Sequence, residues 1–209
     1  MATHYNAIAG RSVERLAALS DGLFAVAMTL LVLDLRVPAG EALHSEAELQ
    51  GVLLALSPRL LVYLMSFLTL GIFWVGQQAQ LNALARSDRN LTWIYLAFLL
   101  AVTLMPFSTS LMAEYIAYRT ALLTYWANVL LLGVILFASW RYAERADLVK
   151  PEIGHVAGRL VERRIVIAQA LYAFGALLCV INTYCSIGFI VLVQLNYAIA
   201  PRLGVLQRL

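Results

Sequence analysis

Charged residues are scarce in this chain. Only 13% of its 209 residues are Asp, Glu, Lys or Arg, whereas 62% are hydrophobic, and the mean hydropathy is +0.81. Soluble domains carry about 25% charged and about 45–50% apolar residues, so this composition excludes an ordinary water-soluble domain. The sequence therefore predicts a protein whose apolar surface faces lipid.

The signatures of enzymes are also missing. The chain has no GxSxG, HExxH or GxxxxGK[ST] motif, and it lacks the TVGYG filter of ordinary potassium channels. The three histidines show no ligand spacing with either cysteine, and both cysteines lie in apolar stretches, so we expect buried thiols. We predict neither an enzyme nor a bound cofactor or metal. The residues concerned are His4, His44, His155, Cys179 and Cys185.

Long apolar runs fill most of the chain. A spanning helix needs about 20 mostly apolar residues, and Pro, Gly and charged residues separate six such runs. We predict an all-α protein with one transmembrane domain over residues 1–209. Its first run is expected to be retained, because it lacks the cleavage site of a signal peptide. The predicted spans are 16–35, 53–76, 91–112, 122–140, 165–181 and 184–200.

Two proline positions affect these spans. Pro58 falls near the start of the second span, and we expect a kink there rather than a boundary, because neighbouring helices can satisfy the freed backbone groups. Pro38, with Gly40, is expected to end the first span.

Basic residues are distributed unevenly between the two sides that six spans define. Twelve of the fifteen Lys and Arg residues fall on the side of the termini, and three, Arg36, Arg59 and Arg119, fall on the other side. Because cytoplasmic loops carry the excess of basic residues, both termini are predicted to be cytoplasmic. This topology accounts for the net charge of +3, so no nucleic-acid partner is expected.

The first span combines an apolar stripe with a Ser-Asp-Gly step. At 100° per residue the stripe leaves Thr29 beside it and Asp21 almost opposite Val26. The spacing alone does not decide whether the stripe lines a pore or packs against protein or lipid. The stripe consists of Leu19, Val26, Leu30, Leu33 and Val37.

Asp21 is an ionisable group within the first span, which is costly in a membrane. A structural pairing with Arg15 or with a base of another helix is favoured over proton transfer. Trp74, followed one turn later by Gln77 and Gln78, has two open interpretations: an anchor at the membrane interface, or a hydrogen-bonding partner of the Ser20-Asp21 step.

The first span also contains an extended motif. The residues Arg15-x-x-x-Leu19-Ser20-Asp21-Gly22-x-Phe24-Ala25-x-Ala27-x-Thr29-Leu30-Leu31-x-Leu33 resemble the RxxxFSDGxFAxAxTLLxL signature of the transmembrane protein 175 family, in its prokaryotic single-repeat branch. Two departures stand out: Leu19 replaces the usual Phe, and Gln77-Gln78 replace a frequent His-His pair. Further similar steps are Ser66-Phe67, Phe73-Trp74 and Leu104-Met105-Pro106-Phe107.

This resemblance implies a function. Members of the family are tetrameric, potassium-preferring, leak-type cation channels, in which each subunit contributes its first helix to a central pore in the plasma membrane of a prokaryote. Carried onto this sequence, Val26, Leu30 and Leu33 form the constriction and Thr29 supplies a hydroxyl layer that affects selectivity. The resemblance also implies a structural network of Arg15, Ser20, Asp21 and Trp74. The implied partners are potassium and other monovalent cations, the lipid bilayer and further copies of the chain.

Two other functions remain open from the residues alone. A secondary transporter or small-solute permease would show an internal repeat with interrupted helices, and spans one to three show no convincing similarity to spans four to six. A structural or assembly protein of the membrane would conduct nothing.

Overall fold

The computed structural model describes residues 12–36 and 45–199, without the side chains of residues 154–157. Several sequence predictions therefore concern parts of the chain outside these residues or side chains. They are those for Val37, Pro38, Gly40, His4, His44, the His155 side chain, both termini and the end of the sixth span at Ala200.

The described backbone is helical and forms no strands, which confirms the predicted all-α class. Three short 3₁₀ turns accompany the α-helices: Leu31–Asp34 after α1, Pro151–Ile153 before α7 and Leu178–Val180 after α7. The α-helices are α1 Val13–Leu30, α2 Glu46–Ala55, α3 Ser57–Ala83, α4 Arg89–Thr103, α5 Met105–Glu114, α6 Arg119–Arg145, α7 Gly154–Leu177 and α8 Thr183–Ile199.

Five helical segments of the described chain are long and apolar enough to cross a bilayer, and α8 adds a shorter apolar helix of 17 residues. The third segment contains both α4 and α5, which meet at Leu104. The protein is therefore a multi-pass membrane protein. The five segments are Val13–Asp34, Ser57–Ala83, Arg89–Glu114, Arg119–Arg145 and Gly158–Val180.

The helix is interrupted at Leu56, close to the kink expected at Pro58. The α2 helix ends at Ala55, and Pro58 lies in the first turn of α3, which begins at Ser57. Proline is tolerated in a first turn because the backbone N–H that it lacks would have no intrahelical acceptor there. Leu56 joins α2 to α3 in helical conformation, and its N–H donates to the Val52 carbonyl oxygen at 3.2 Å. The Ser45 side chain caps the N-terminus of α2 by accepting a hydrogen bond from Glu48 N at 3.3 Å.

The α6 helix lies at the centre of the bundle, packed against α3, α4, α5 and α7. It buries large side chains, including Tyr125 and Trp140. The Tyr125 hydroxyl lies 2.8 Å from Thr69 Oγ1 of α3, and Gln194 Nε2 of α8 donates to the same Thr69 oxygen at 2.6 Å. Polar groups inside a membrane bundle have to find protein partners, so these hydrogen bonds join three helices at one level.

The prediction of two buried thiols is wrong for one cysteine. Cys179 is buried in the turn after α7, whereas Cys185 is exposed on α8. An apolar neighbourhood predicts burial in a soluble protein, but a spanning helix also carries apolar residues on the side that faces lipid. The exposed Leu192 and Leu195 further along α8 are of this kind.

Candidate functional site

One side of α1 packs tightly against the bundle. It contacts α3, α4 and α5, and Phe24 is central to this contact, with its ring centroid 6.1 Å from that of Phe98, which in turn lies 6.3 Å from that of Phe73. These three rings join α1, α4 and α3. The buried residues of α1 and its 3₁₀ turn are Leu16, Ser20, Phe24, Ala27 and Leu31.

Asp21 binds one turn of α3. Its Oδ1 atom accepts hydrogen bonds from Trp74 Nε1 at 2.8 Å and from Gln78 Nε2 at 2.6 Å. The hydrogen-bonding interpretation of Trp74 is thus realised. These two hydrogen bonds tie α1 to α3 directly.

Ser20 adds a second link to the same turn. Its Oγ donates to the Leu16 carbonyl oxygen at 2.9 Å and accepts from Gln77 Nε2, also at 2.9 Å. Both Ser20 and Gln77 are fully buried. The two glutamines that replace the family's histidines therefore retain the N–H donors, but as neutral groups that do not titrate.

The structure brings together three of the four residues predicted to form the network. Ser20, Asp21 and Trp74 meet as described, whereas Arg15 lies on the exposed side of α1 and is not among the partners of Asp21 within the described ranges.

The other side of α1 has no protein cover within the subunit. The predicted constriction residues lie there: Val26 is 54% exposed, Leu30 44% and Leu33 59%. Thr29 is exposed beside them, and its hydroxyl lies 2.9 Å from the Ala25 carbonyl oxygen and 2.8 Å from that of Val26. A continuous apolar face with one hydroxyl thus follows the length of the helix.

The end of α1 differs from the regular helix that the stripe assumed. Leu33 belongs to the 3₁₀ turn Leu31–Asp34. In a 3₁₀ helix the side chains at positions i and i+3 eclipse and the rise is about 2.0 Å per residue. Leu33 is therefore in line with Leu30, and the face from Val26 to Leu33 is about 12 Å long rather than about 10 Å.

Small residues accompany this apolar face. Ala18, Gly22 and Ala25 are exposed, and a Cβ built on Gly22 would meet nothing within 4 Å. Small side chains let helix backbones approach closely in membranes, so this part of α1 can receive another helix from outside the subunit.

These features agree with the comparison to known proteins. Residues 15–106 match the family described as "Endosomal/lysosomal potassium channel TMEM175", and a potassium channel of Chamaesiphon minutus is 30% identical over 192 residues, covering 88% of this chain and 93% of that protein. The chain belongs to the TMEM175 family. This confirms the predicted resemblance and places the chain in a family of ion channels, not of enzymes.

Two further comparisons show that the similarity extends over most of this chain. A potassium channel of Streptomyces collinus is 32% identical over 163 residues, covering 76% of this chain and 78% of that protein. The crystal structure of a lysosomal potassium-selective channel TMEM175 homolog from Chamaesiphon minutus superposes with a TM-score of 0.73 at 28% identity, covering 90% of this chain and 97% of that chain.

Sequence reasoning did not find two features of the site. It assigned no role to Phe24, although this residue lies within the motif and contacts Phe98 across the bundle. It also missed the 3₁₀ turn, which no residue of the Leu31–Asp34 stretch signals. The role of Phe24 could have been predicted, because the Phe of the motif lies on the side of the helix opposite the apolar stripe and so faces the bundle.

Proposed function

We propose that this TMEM175 protein is a potassium-preferring, leak-type channel of a prokaryotic plasma membrane, in which four subunits place α1 around a central pore. Both termini lie in the cytoplasm. The main support is the exposed face of α1: Val26, Leu30 and Leu33 lack cover within the subunit, although the opposite face of the same helix is tightly packed. The potassium channels among its relatives support the choice of ion.

The apolar face provides a gate. A ring of Val26, Leu30 and Leu33 from four subunits makes a narrow stretch about 12 Å long that offers no polar group to replace the water around an ion. Such hydrophobic constrictions gate by losing their water. Conduction then requires the four helices to splay or rotate until the stretch is wide enough to hold water.

Thr29 provides a polar layer beside this gate. Because a hydroxyl has one proton, and that of Thr29 is directed towards carbonyl oxygens of its own helix, the oxygen lone pairs remain available to a passing cation. Contacts of this type replace only part of the hydration shell. The channel therefore prefers potassium, the larger ion, because its water is easier to remove than that of sodium. This preference is modest.

The hydrogen bonds of Ser20 and Asp21 set the position of the gate. They hold α1 against the turn of α3 that contains Trp74, Gln77 and Gln78. Any movement of this α3 turn is thereby passed to the pore helix.

Reversal potentials of the protein reconstituted in planar bilayers, with potassium on one side and sodium or caesium on the other, test the proposal. We expect currents with a several-fold preference for potassium over sodium, from a complex that native mass spectrometry identifies as a tetramer. Equal permeability would remove the potassium preference. Saturable transport driven by a proton gradient would instead indicate a transporter, and a tetramer without flux would indicate a structural role.

A further inference from the structure

A cleft lies on the opposite side of α3 from the pore helix. It contains about 700 Å³ of open space, counting its mouth, and separates α3 from α7. Leu136 of α6 and Tyr197 of α8 complete its lining. Its two walls are apolar, formed by Ile72, Phe73 and Gly76 on α3 and by Val161, Ile165 and Ala168 on α7.

The cleft lies within the thickness of the membrane. All of its α7 residues belong to the spanning segment Gly158–Val180. From Val161 to Tyr172 it extends about 16 Å along the helix axis, roughly half of a hydrocarbon core of about 30 Å. A mouth that opens at this depth is within reach of bilayer lipid.

Arg164 stands at this cleft with an uncompensated charge. It has no carboxylate partner among the described residues, since the nearby Glu162 pairs with Arg141 at 3.0 Å. Its guanidinium carbon lies 6.0 Å from the centre of the Tyr197 ring, a distance at which cation–π attraction orients the group. Arg164 is exposed at the cleft, so an anionic group from outside the protein can reach it.

The deep end of the cleft limits the apolar part of an occupant. The hydroxyl of Tyr172 and the Oε1 atom of Gln169 are buried there without hydrogen-bond partners in the described chain. An acyl chain would leave such groups unsatisfied, which is costly. Gln169 lies five residues, or about 7.5 Å, beyond Arg164 along α7, so the apolar stretch available to the chain ends there.

We propose that the cleft binds an anionic phospholipid, with part of one acyl chain between α3 and α7 and its phosphate on Arg164. Guanidinium and phosphate groups match in charge and in bidentate geometry. Anionic lipids of the cytoplasmic leaflet also favour basic residues near the surface.

This site touches the same α3 turn that holds the pore helix. Phe73 and Gly76 line the cleft, whereas Trp74 and Gln77 bind α1. The lipid therefore sets the spacing of α3 and α7 behind the anchor of α1. The effect of the lipid on ion flux rests on the proposed channel function, whereas the binding of the lipid does not.

Binding is measured on the full chain in detergent by native mass spectrometry, with phosphatidylglycerol and phosphatidylcholine titrated separately. We expect phosphatidylglycerol to bind about fivefold more tightly, the effect of one basic residue near an anionic surface. Arg164→Gln should abolish this preference, and Arg164→Lys should restore part of it. The matched control is Arg163→Gln, which removes the same charge from the adjacent exposed position outside the cleft and should leave the preference unchanged.

The location is tested with phosphatidylglycerol that carries a photoreactive group in its acyl chain. Crosslinks are expected on peptides containing residues 72–76 and 161–168, and Ala168→Phe should suppress them by filling the cleft. Melting curves verify that each variant is folded. If Ala168→Phe does not fold, Ala79→Phe replaces it, because Ala79 lines the cleft on the opposite wall, formed by α3. Equal binding of both lipids, equal effects at Arg163 and Arg164, or crosslinks to a second subunit at these residues would overturn the proposal. None of these readouts requires ion conduction.

Discussion

The α1 and α7 helices are the two least buried spans, yet their exposed sides differ in chemistry. In their most apolar windows 28% of the α1 residues and 22% of the α7 residues are buried. The exposed side of α7 carries large apolar residues over most of its length, including Leu160, Val166, Phe174 and Leu177. On α1, small and polar residues such as Gly22 and Thr29 alternate with leucine and valine.

This difference shows that a residue exposed in a single subunit can face either lipid or another protein helix in the membrane. Bulky apolar residues, such as Val166 and Phe174 of α7, suit contact with fluid acyl chains. Small residues and a hydroxyl gain nothing from lipid, but they permit close helix packing and contact with water or ions. We therefore predict that the α1 face, and not that of α7, packs against other copies of the chain. Equivalent changes on other exposed helices test this prediction.

The largest effect is expected from a bulky residue at Gly22. Gly22→Leu should lower the association constant of the proposed tetramer by about three orders of magnitude or more, since overpacking costs roughly 1–3 kcal/mol at each of the four contacts between subunits. The subunit itself should fold, because nothing lies within 4 Å of the new Cβ. Native mass spectrometry counts the subunits. The control is Gly188→Leu on α8, where the Cβ also meets nothing within 4 Å. An equal loss of tetramer in this variant would contradict the distinction between the α1 face and the faces exposed to lipid.

A smaller but specific effect is expected at the apolar gate. Leu30→Asn should raise basal potassium flux in proteoliposomes by about tenfold, because a polar side chain lets the constriction hold water. The same change at the exposed Leu177 of α7 should leave the flux unaltered. If Leu30→Asn lowered the yield of tetramer without raising flux, Leu30 would be a packing residue instead.

The anchor of α1 should respond to the loss of hydrogen bonds more than to the loss of charge. Asp21→Asn retains an oxygen that can accept from Trp74 and Gln78, whereas Asp21→Leu removes both bonds. We expect Asp21→Leu to destabilise the folded protein by about 1 kcal/mol, as for interhelical hydrogen bonds in membranes, and Asp21→Asn by less. Thermal unfolding monitored by tryptophan fluorescence makes the comparison. Equal destabilisation by both variants would mean that the charge itself is required.

The smallest effect concerns selectivity. Thr29→Val removes the hydroxyl while keeping the branched shape, and should lower the ratio of potassium to sodium permeability by about twofold, since one polar layer replaces only part of the hydration shell. Thr29→Ser should preserve the ratio. Reversal potentials measure both. A ratio unchanged in Thr29→Val would move the origin of selectivity elsewhere in the pore.

Much of the fold followed from composition and periodicity. The shortage of charge and the length of the apolar runs predicted a helical membrane protein, and the motif around Asp21 identified the family. The contact of Trp74 with Asp21 was one of two alternatives, and choosing between them required the relative position of α1 and α3.

What could not be predicted depends on long-range packing. Cys185 is exposed because of the side of α8 on which it lies. The cleft beside Arg164 results from two helices that are distant in sequence. The constriction and oligomer remain predictions.

The 3₁₀ turn after α1 couples the length of this end of the helix to its rotation. A 3₁₀ helix advances about 2.0 Å and turns about 120° per residue, against about 1.5 Å and 100° in an α-helix. If the four residues Leu31–Asp34 rewound to α-helical geometry, this end would shorten by about 2 Å, and Leu33 would swing by about 60° out of line with Leu30. A torsional change in a single turn can thus move Leu33 out of the exposed face of α1 while the part of the helix that binds α3 stays in place.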